Sequence, residues 1–319
     1  MTKHLLITGG AGFIGTNFIS YLLSNTNYYI CNVDSLTYAA NNELIPLFEK
    51  SGRYHLFQGD ISNEACLSSV FNQEYEAIIN FAAETHVDRS IINAAPFIHT
   101  NIKGTFNLLQ ALLKGKARMM IQISTDEVYG SLQPADPPFN EESPLAPNNP
   151  YSASKASADL LVRSYYKTHH LPLIVTRCSN NFGPMQHQEK LIPKTIYHAL
   201  NNMKIPLYGD GLNIREWIYV EDHCKAIHLT LEKGVPGEVY NIGGTEEKTN
   251  LEIVQMILKH LKKDNRLIHF INDRKGHDRR YAMDSSKILK EFGWKPSVSF
   301  EEGIKKTVEW YKLRMERKE

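Results

Sequence analysis

The chain is predicted to fold as an α/β protein: a doubly wound parallel sheet followed by a smaller C-terminal domain. Three observations predict it. Through roughly the first 180 residues, short apolar runs alternate with segments of helical periodicity, the pattern of buried strands covered by helices on both faces. A glycine-rich turn, Thr8-Gly9-Gly10-Ala11-Gly12-Phe13-Ile14-Gly15, joins the first apolar run to the first helical segment. Beyond about residue 180 the alternation fades, interrupted by Pro184, Pro193, Pro206 and several glycines. Residues 1–180 are therefore assigned to the sheet domain and 181–319 mainly to a second domain, with later segments free to return to the sheet.

In chain order, strands buried on both faces are expected at Leu5–Ile7, Tyr29–Val33, Tyr54–Phe57, Ala77–Phe81, Met119–Ile123 and Leu173–Thr176. Helices are expected over Thr16–Leu23 and Thr100–Leu113, where apolar residues recur at helical spacing. The stretch Pro134–Pro150, rich in Pro, Asn and Asp, reads as a surface loop, and Tyr151 to about Tyr166 as a helix apolar on more than one side. A last amphipathic helix covers about Phe300–Arg314, with Ile304, Val308 and Tyr311 on one face.

Composition narrows the function classes. The 319 residues are 42% hydrophobic and 22% charged, with a formal net charge of +1. No global field draws such a chain to nucleic acid or membrane, so an anionic ligand must be held by a local cluster. Basic residues gather near Lys190, Arg215, Arg274, Arg279 and Arg280. Cys31, Cys66, Cys178 and Cys224 are scattered without metal-like pairing, and His86 and His277 lack metal-ligand spacing. No metal is expected. With no signal-peptide pattern and no apolar run near the ~18 residues of a membrane span, the expected setting is the cytoplasm.

The glycine turn satisfies Gly10-x-Gly12-x-x-Gly15 and the wider Gly9-x-x-Gly12-x-x-Gly15. Glycines at these points let the backbone turn tightly and approach a pyrophosphate at the helix N-terminus. Asp34 ends the second strand about 20 residues on, where a carboxylate receives the adenosine ribose hydroxyls and repels a 2′-phosphate. This predicts a Rossmann-like site that prefers NAD to NADP. Asp60 and Ile61, after the third strand, and Phe81, Ala82 and Ala83, after the fourth, fall at strand ends where such sheets bind ligands. Asp60 also reads as a helix N-cap.

Two further segments carry chemistry. Tyr151 and Lys155 lie four apart and share a helix face, so the ammonium is expected to lower the phenol pKa and make Tyr151 a base. Thr125, Asp126 and Glu127 follow the fifth strand. A dinucleotide fold needs no carboxylate pair there; adjacent carboxylates are otherwise a solvated loop pair or a helix cap.

The glycine fingerprint, Asp34 and the Tyr151–Lys155 pair resemble the extended short-chain dehydrogenase/reductases. The resemblance is closer to the dTDP-glucose 4,6-dehydratases and runs over essentially the whole chain. It is carried by Phe81–Ser90, Ser124–Gly130, Cys178–Pro184, Glu189–Pro193, Asn241–Gly244 and Gly276–Tyr281. It implies that Tyr151 takes the 4-hydroxyl proton while NAD accepts the carbon-4 hydride, with Thr125 holding that oxygen. It further implies that Glu127 abstracts the carbon-5 proton, that Asp126 protonates the departing 6-hydroxyl, and that the hydride returns to carbon 6. For NAD it implies Gly9, Gly12, Phe13, Ile14, Gly15, Asp34, Ser35, Thr37, Asp60, Ile61, Phe81, Ala82, Ala83, Thr100, Tyr151, Lys155 and Asn181. For the sugar nucleotide it implies Thr85, Thr125, Asn180, Lys190, Arg215, Asn250, Arg274 and His277, and for assembly a homodimer paired through the Tyr151 helix. The chain departs from the pattern at Lys275, where proline is usual, and at Phe182, where tyrosine is usual. Alternatives are the same reaction on UDP-glucose, a 4-epimerase, which needs no acid–base pair for carbons 5 and 6, and a silent NAD-binding protein.

Overall fold

The computed structural model describes residues 3–316. Among them the strands are β1 (His4–Thr8), β2 (Tyr29–Asp34), β3 (Tyr54–Gln58), β4 (Ala77–Asn80), β5 (Met120–Thr125), β6 (Leu173–Cys178), β7 (Asn180–Phe182), β8 (Ile205–Tyr208), β9 (Ile214–Tyr219), β10 (Val239–Ile242), β11 (Glu246–Thr249) and β12 (Ile268–Ile271). Seven of them form one sheet in the order β10-β6-β5-β4-β1-β2-β3, and every pairing in it is parallel. All six expected strands are present.

Period-two alternation makes this sheet the centre of a three-layer sandwich. Leu5 and Ile7 face Phe18, Ile19 and Leu22 of the helix Phe13–Asn25, with Ala226 and Ile227 of the helix Val220–Lys233. Leu6, Ile78 and Met120 face the other way, toward Leu108, Leu109 and Leu112 of the helix Thr105–Leu113 and Val162 of the helix Pro150–His169. Each fully buried aliphatic side chain contributes about 1.5–3 kcal/mol. The expectation that every strand is buried on both faces fails at β3. It is an edge strand with one neighbour, and His55 and Gln58 are exposed.

The seventh strand comes from beyond residue 180. β10 pairs with β6, and the helix Val220–Lys233 packs on the helix Phe13–Asn25. The helix Ser286–Phe292 also packs on β10, and most of the other late segments form a second body with a three-stranded sheet (β11-β9-β7) and a two-stranded one (β12-β8). Its core joins Ile192, Ile196, Ile253, Ile257, Ile304 and Val308 to the aromatic rings of Phe182, Trp217, Tyr219 and Phe300. Phe182 is buried at the middle of those rings, 5.0 Å from Phe300 and 5.6 Å from Tyr219 between centroids. Its missing hydroxyl therefore falls in apolar packing.

One helix differs from its expected form. In place of a regular helix from Thr100, residues Ile98–Gly104 form a π-helix, and an α-helix follows over Thr105–Leu113. The last helix runs Phe300–Glu316. Among the described residues no helix is long and apolar enough to cross a membrane.

Candidate active site

Where β1 lies between β2 and β4, the winding direction of the sheet changes, and ligands bind outside the strand ends at such a switch point. A cleft of about 450 Å³ opens there. Gly9 sits at φ +70°, and a Cβ on it would meet the Ala82 nitrogen at 2.5 Å. A Cβ on Gly15 would meet the Gly9 carbonyl oxygen at the same distance. Gly9 is thus required by the close approach of β1's turn to the segment after β4, and Gly15 by the packing of the helix start on the turn itself.

Asp34 accepts the backbone N–H of Ala11 (2.8 Å) on one oxygen and that of Leu36 (2.8 Å) on the other. Each oxygen keeps a lone pair for a ribose hydroxyl. Burial raises its pKa, opposed by those two N–H groups. Asp60 accepts from the Ser62 N–H (2.8 Å), closing a turn. The N-cap of the next helix is Asn63, so the cap reading of Asp60 is corrected.

The catalytic candidates converge from three elements. β5 ends at Thr125, whose hydroxyl donates to Asp126 Oδ1 (3.1 Å) and caps the short helix Asp126–Tyr129. Asn149 caps the next helix by accepting the Ser152 N–H (2.9 Å), with Pro150 in its first turn, and this fixes Tyr151 and Lys155 one turn inside. Asn101 of the π-helix clamps the third element. It bonds both backbone groups of Glu84 (2.9 and 3.1 Å) and donates to Ser154 Oγ (2.8 Å). A π-turn at a functional site has this use, aiming one side chain at two neighbouring segments.

The two carboxylates are unlike. Asp126 is buried, and its Oδ2 has no hydrogen-bond partner. Burial first, then the Glu127 charge, lifts its carboxyl to about 8, with the Thr125 hydroxyl and Arg215 opposing. Glu127 is half-buried and accepts the Ser152 hydroxyl (3.2 Å) on Oε2. They are neither a solvated pair nor a mere cap.

The expected effect of Lys155 on Tyr151 is not seen in the chain alone. Lys155 Nζ donates to the Ile123 carbonyl (2.6 Å). Burial, and next the Glu127 charge, hold the Tyr151 phenol well above its ordinary value. Burial also lowers Lys155, against the pull of Asp159.

Of the residues expected to meet a dinucleotide, every one lines the cleft: the fingerprint positions Gly9, Gly12, Phe13, Ile14 and Gly15, then Asp34, Ser35, Thr37, Asp60, Ile61, Phe81, Ala82, Ala83, Thr100, Tyr151, Lys155 and Asn181. Thr85, Asn180 and Lys190 line it too, whereas Arg215, Asn250, Arg274 and His277 stand beyond it. Arg215 is buried, donates to the Asp278 carbonyl (2.9 Å) and stacks over Tyr281 (4.4 Å). Arg274 lies 3.8 Å from Asp88, and its Nε is buried without a partner. His277 is driven to about 4 by burial and by Arg274, so it is neutral near pH 7. Asn250 opens the helix Asn250–His260, its N–H bonded to the Asn213 carbonyl. Two members of the basic cluster serve structure instead. Arg279 pairs with Asp210, and Arg280 forks onto Glu247 (2.6 and 2.7 Å).

A family model described as GDP-mannose 4,6 dehydratase matches residues 6–307. The dTDP-glucose 4,6-dehydratase of Neisseria gonorrhoeae is 47% identical, over 97% of this chain and 95% of its own length. The chain belongs to the dTDP-glucose 4,6-dehydratase family. The low-salt glycan biosynthesis protein Agl12 of Haloferax volcanii is 50% identical, covering 96% of this chain and 98% of that one. A crystal structure of the Bacillus anthracis dTDP-glucose 4,6-dehydratase in complex with NAD superposes with a TM-score of 0.92, at 48% identity and covering 99% and 98% of the two chains.

Within this dehydratase frame, several residues at the site were not among those expected from the sequence. His223 is fully buried, bonds Asn181 Oδ1 through Nδ1 (2.8 Å) and has no partner on Nε2. Burial takes it down to about 3, so it is neutral and orients Asn181. Glu189, Gln186 and Cys178 line the cleft, and Tyr208 donates to Asp88 (3.0 Å) beside Arg274. Glu189 lies in a segment that carried the resemblance, which was the available hint.

Proposed function

We propose that this chain dehydrates dTDP-glucose to dTDP-4-keto-6-deoxyglucose, using NAD that is restored in every cycle. The observation that carries the reading is the asymmetry of the carboxylates. Asp126 holds its proton at neutral pH with one oxygen unpartnered, while the neighbouring Glu127 is half-buried and accepts a hydroxyl. An elimination needs one acid and one base, and environments that separate two carboxyls supply them.

The glycine cradle and the double-accepting Asp34 fit a dinucleotide. NAD bound there supplies a reversible two-electron acceptor for carbon 4 and the matching donor for carbon 6. Tyr151 takes the 4-hydroxyl proton once the cation of bound NAD offsets the burial and the Glu127 charge that hold its phenol high in the chain alone, and Thr125 holds that oxygen. Once carbon 4 is a ketone the hydrogen on carbon 5 is acidic, and Glu127 removes it. Asp126 delivers its proton to the departing 6-hydroxyl. Arg215, Arg274 and Lys190 supply fixed cations for the diphosphate, where an arginine fork suits paired oxygens, and neutral His277 adds a hydrogen-bonding ring. Thr85, Asn180 and Asn250 complete the sugar and nucleoside contacts. The dTDP assignment rests on the activity named for the relatives.

The reading includes a homodimer. Ile98 (53% exposed), Phe106 (40%) and Leu160 (54%) project from packed neighbouring helices, an apolar face of the kind that pairs with its own copy.

Incubation with dTDP-glucose and with UDP-glucose tests the function. The expected result is a 4-keto-6-deoxy product, faster from dTDP-glucose, with no net NADH. A galactose-configured product overturns the dehydratase reading, and faster turnover of UDP-glucose overturns the nucleotide.

A further inference from the structure

One flank of the cleft carries contacts between loops that take no part in the proposed proton and hydride transfers. Three loops meet there: the one after β2, the one after β4, and the one between β7 and the helix Leu191–Leu200. Glu189 of the third loop joins them. Its Oε1 accepts the Tyr38 hydroxyl from the first loop (3.2 Å), and its Oε2 lies 3.4 Å from His86 Nε2 of the second. His187 Nδ1 approaches the same oxygen at 3.6 Å. The Glu189 side chain is only 12% exposed despite lying in a loop.

Other contacts reinforce the junction. The Arg89 guanidinium lies 3.7 Å above the Tyr38 ring, and the His187 ring meets that ring edge-on at 5.3 Å. Lys190 Nζ donates to the Thr85 carbonyl (3.0 Å), and Asn41 Nδ2 to the Met185 carbonyl (3.2 Å). Each loop also lines the cleft, through Thr37, Glu84 and His187 among others. A dinucleotide along the strand ends would lie beneath this strap.

We propose that Glu189 is a positioning residue that pins the strap over NAD, with Tyr38 as its hydroxyl partner, so that the cofactor stays bound through the whole cycle. This rests on the NAD-dependent reading above. The need is chemical. The electrons removed at carbon 4 must return at carbon 6 of the same molecule, so a cofactor lost midway strands the sugar as an oxidised intermediate. Ordinary dehydrogenases exchange their cofactor every turnover; an internal oxidation–reduction requires slow release. A single carboxylate tying three loops supplies that without touching the reacting atoms.

The test measures NAD release from the purified holoenzyme, by dilution into excess competing fluorescent dinucleotide, for wild type, Glu189→Gln and Tyr38→Phe. Gln keeps the shape and removes the carboxylate that accepts from Tyr38 and faces both histidines; Tyr38→Phe removes one hydroxyl from a partly exposed ring and leaves the fold intact. Release is expected to rise about tenfold or more in each, a change of about 1.4 kcal/mol, and free NADH should accumulate during turnover of dTDP-glucose. In Tyr38→Phe, whose side chain does not line the cleft, the single-turnover rate of carbon-4 oxidation in NAD-saturated enzyme should stay within about twofold of wild type. Wild-type release rates in both folded variants overturn the strap, as does slowed oxidation with unchanged release. Wild-type protein that binds no NAD overturns the underlying reading instead.

Discussion

Replacing Asp126 by Asn separates what this carboxyl does for the reaction from what it costs the fold. Burial raises its pKa from 3.8 to about 8. An acid whose folded pKa is raised binds its proton more tightly when folded. Stability is therefore greatest below the unfolded pKa, near pH 4, and declines as pH rises until the folded group also ionises near pH 8. The slope is about 1.36 kcal/mol per pH unit, so by pH 7 the penalty reaches roughly 4 kcal/mol. Asn keeps an acceptor for the Thr125 hydroxyl and an N–H where the neutral acid has its O–H, yet it never ionises. Asp126→Asn should match wild type near pH 4 and exceed it by a few kcal/mol at pH 8. Glu216, also lifted to about 8 by burial, feels the Asp126 charge as well, so removing that charge eases its ionisation and adds to the variant's gain at high pH. Activity should fall by about 10²–10⁴, the usual worth of a positioned acid, and wild-type activity should itself decline above about pH 8. Urea unfolding from pH 4 to 9, beside initial rates of 4-keto product, measures both. A stability difference that does not change with pH, or a variant with wild-type rates, refutes the argument.

Other substitutions isolate other parts. Glu127→Gln should stop the reaction after oxidation, leaving enzyme-bound NADH visible by absorbance near 340 nm; normal elimination would contradict its role as base. Gly9→Ala places a methyl in left-handed backbone against Ala82. It should destabilise by about 1–3 kcal/mol and abolish NAD binding, as calorimetry would report. Leu160→Arg puts a charge on the exposed apolar face of the Tyr151 helix. Light scattering should show its mass halved, and a mass equal to wild type would exclude that face from the dimer.

How much of this was legible in the sequence depended on how local the cause was. The turn Gly9–Gly15 and Asp34 could be read because both the requirement and the residues satisfying it lie within one βαβ unit. The strands could be read because alternate residues such as Leu5 and Leu6 both meet apolar layers. β10 could not: Val239–Ile242 is four residues, and its place beside β6 follows from helices that return from the far half of the chain. The π-turn at Ile98–Gly104 left no trace in the periodicity. Lys155 was visible as a neighbour of Tyr151, but not that its ammonium would be spent on the Ile123 carbonyl. Arg279 and Arg280 could be read only as members of a basic cluster, because their partners Asp210 and Glu247 lie far off in sequence. His223 was hidden among ordinary helical residues because only the tertiary fold brings it to Asn181.

The late strand has a consequence for how the protein is made. Residues 3–180 carry almost the whole cofactor cleft, yet they end with β6 as an open edge, its backbone unpaired until β10 arrives. During synthesis at about 5–20 residues per second, that edge waits several seconds, with Val175, Thr176, Arg177 and Cys178 unpaired on the side away from β5. Such a strand is a template for joining other chains. A fragment cut near residue 180 should therefore aggregate rather than bind NAD. The half of the sequence that reads as an independent domain is instead completed from outside itself, and the nascent chain is most exposed to misassembly when its binding site is nearly formed.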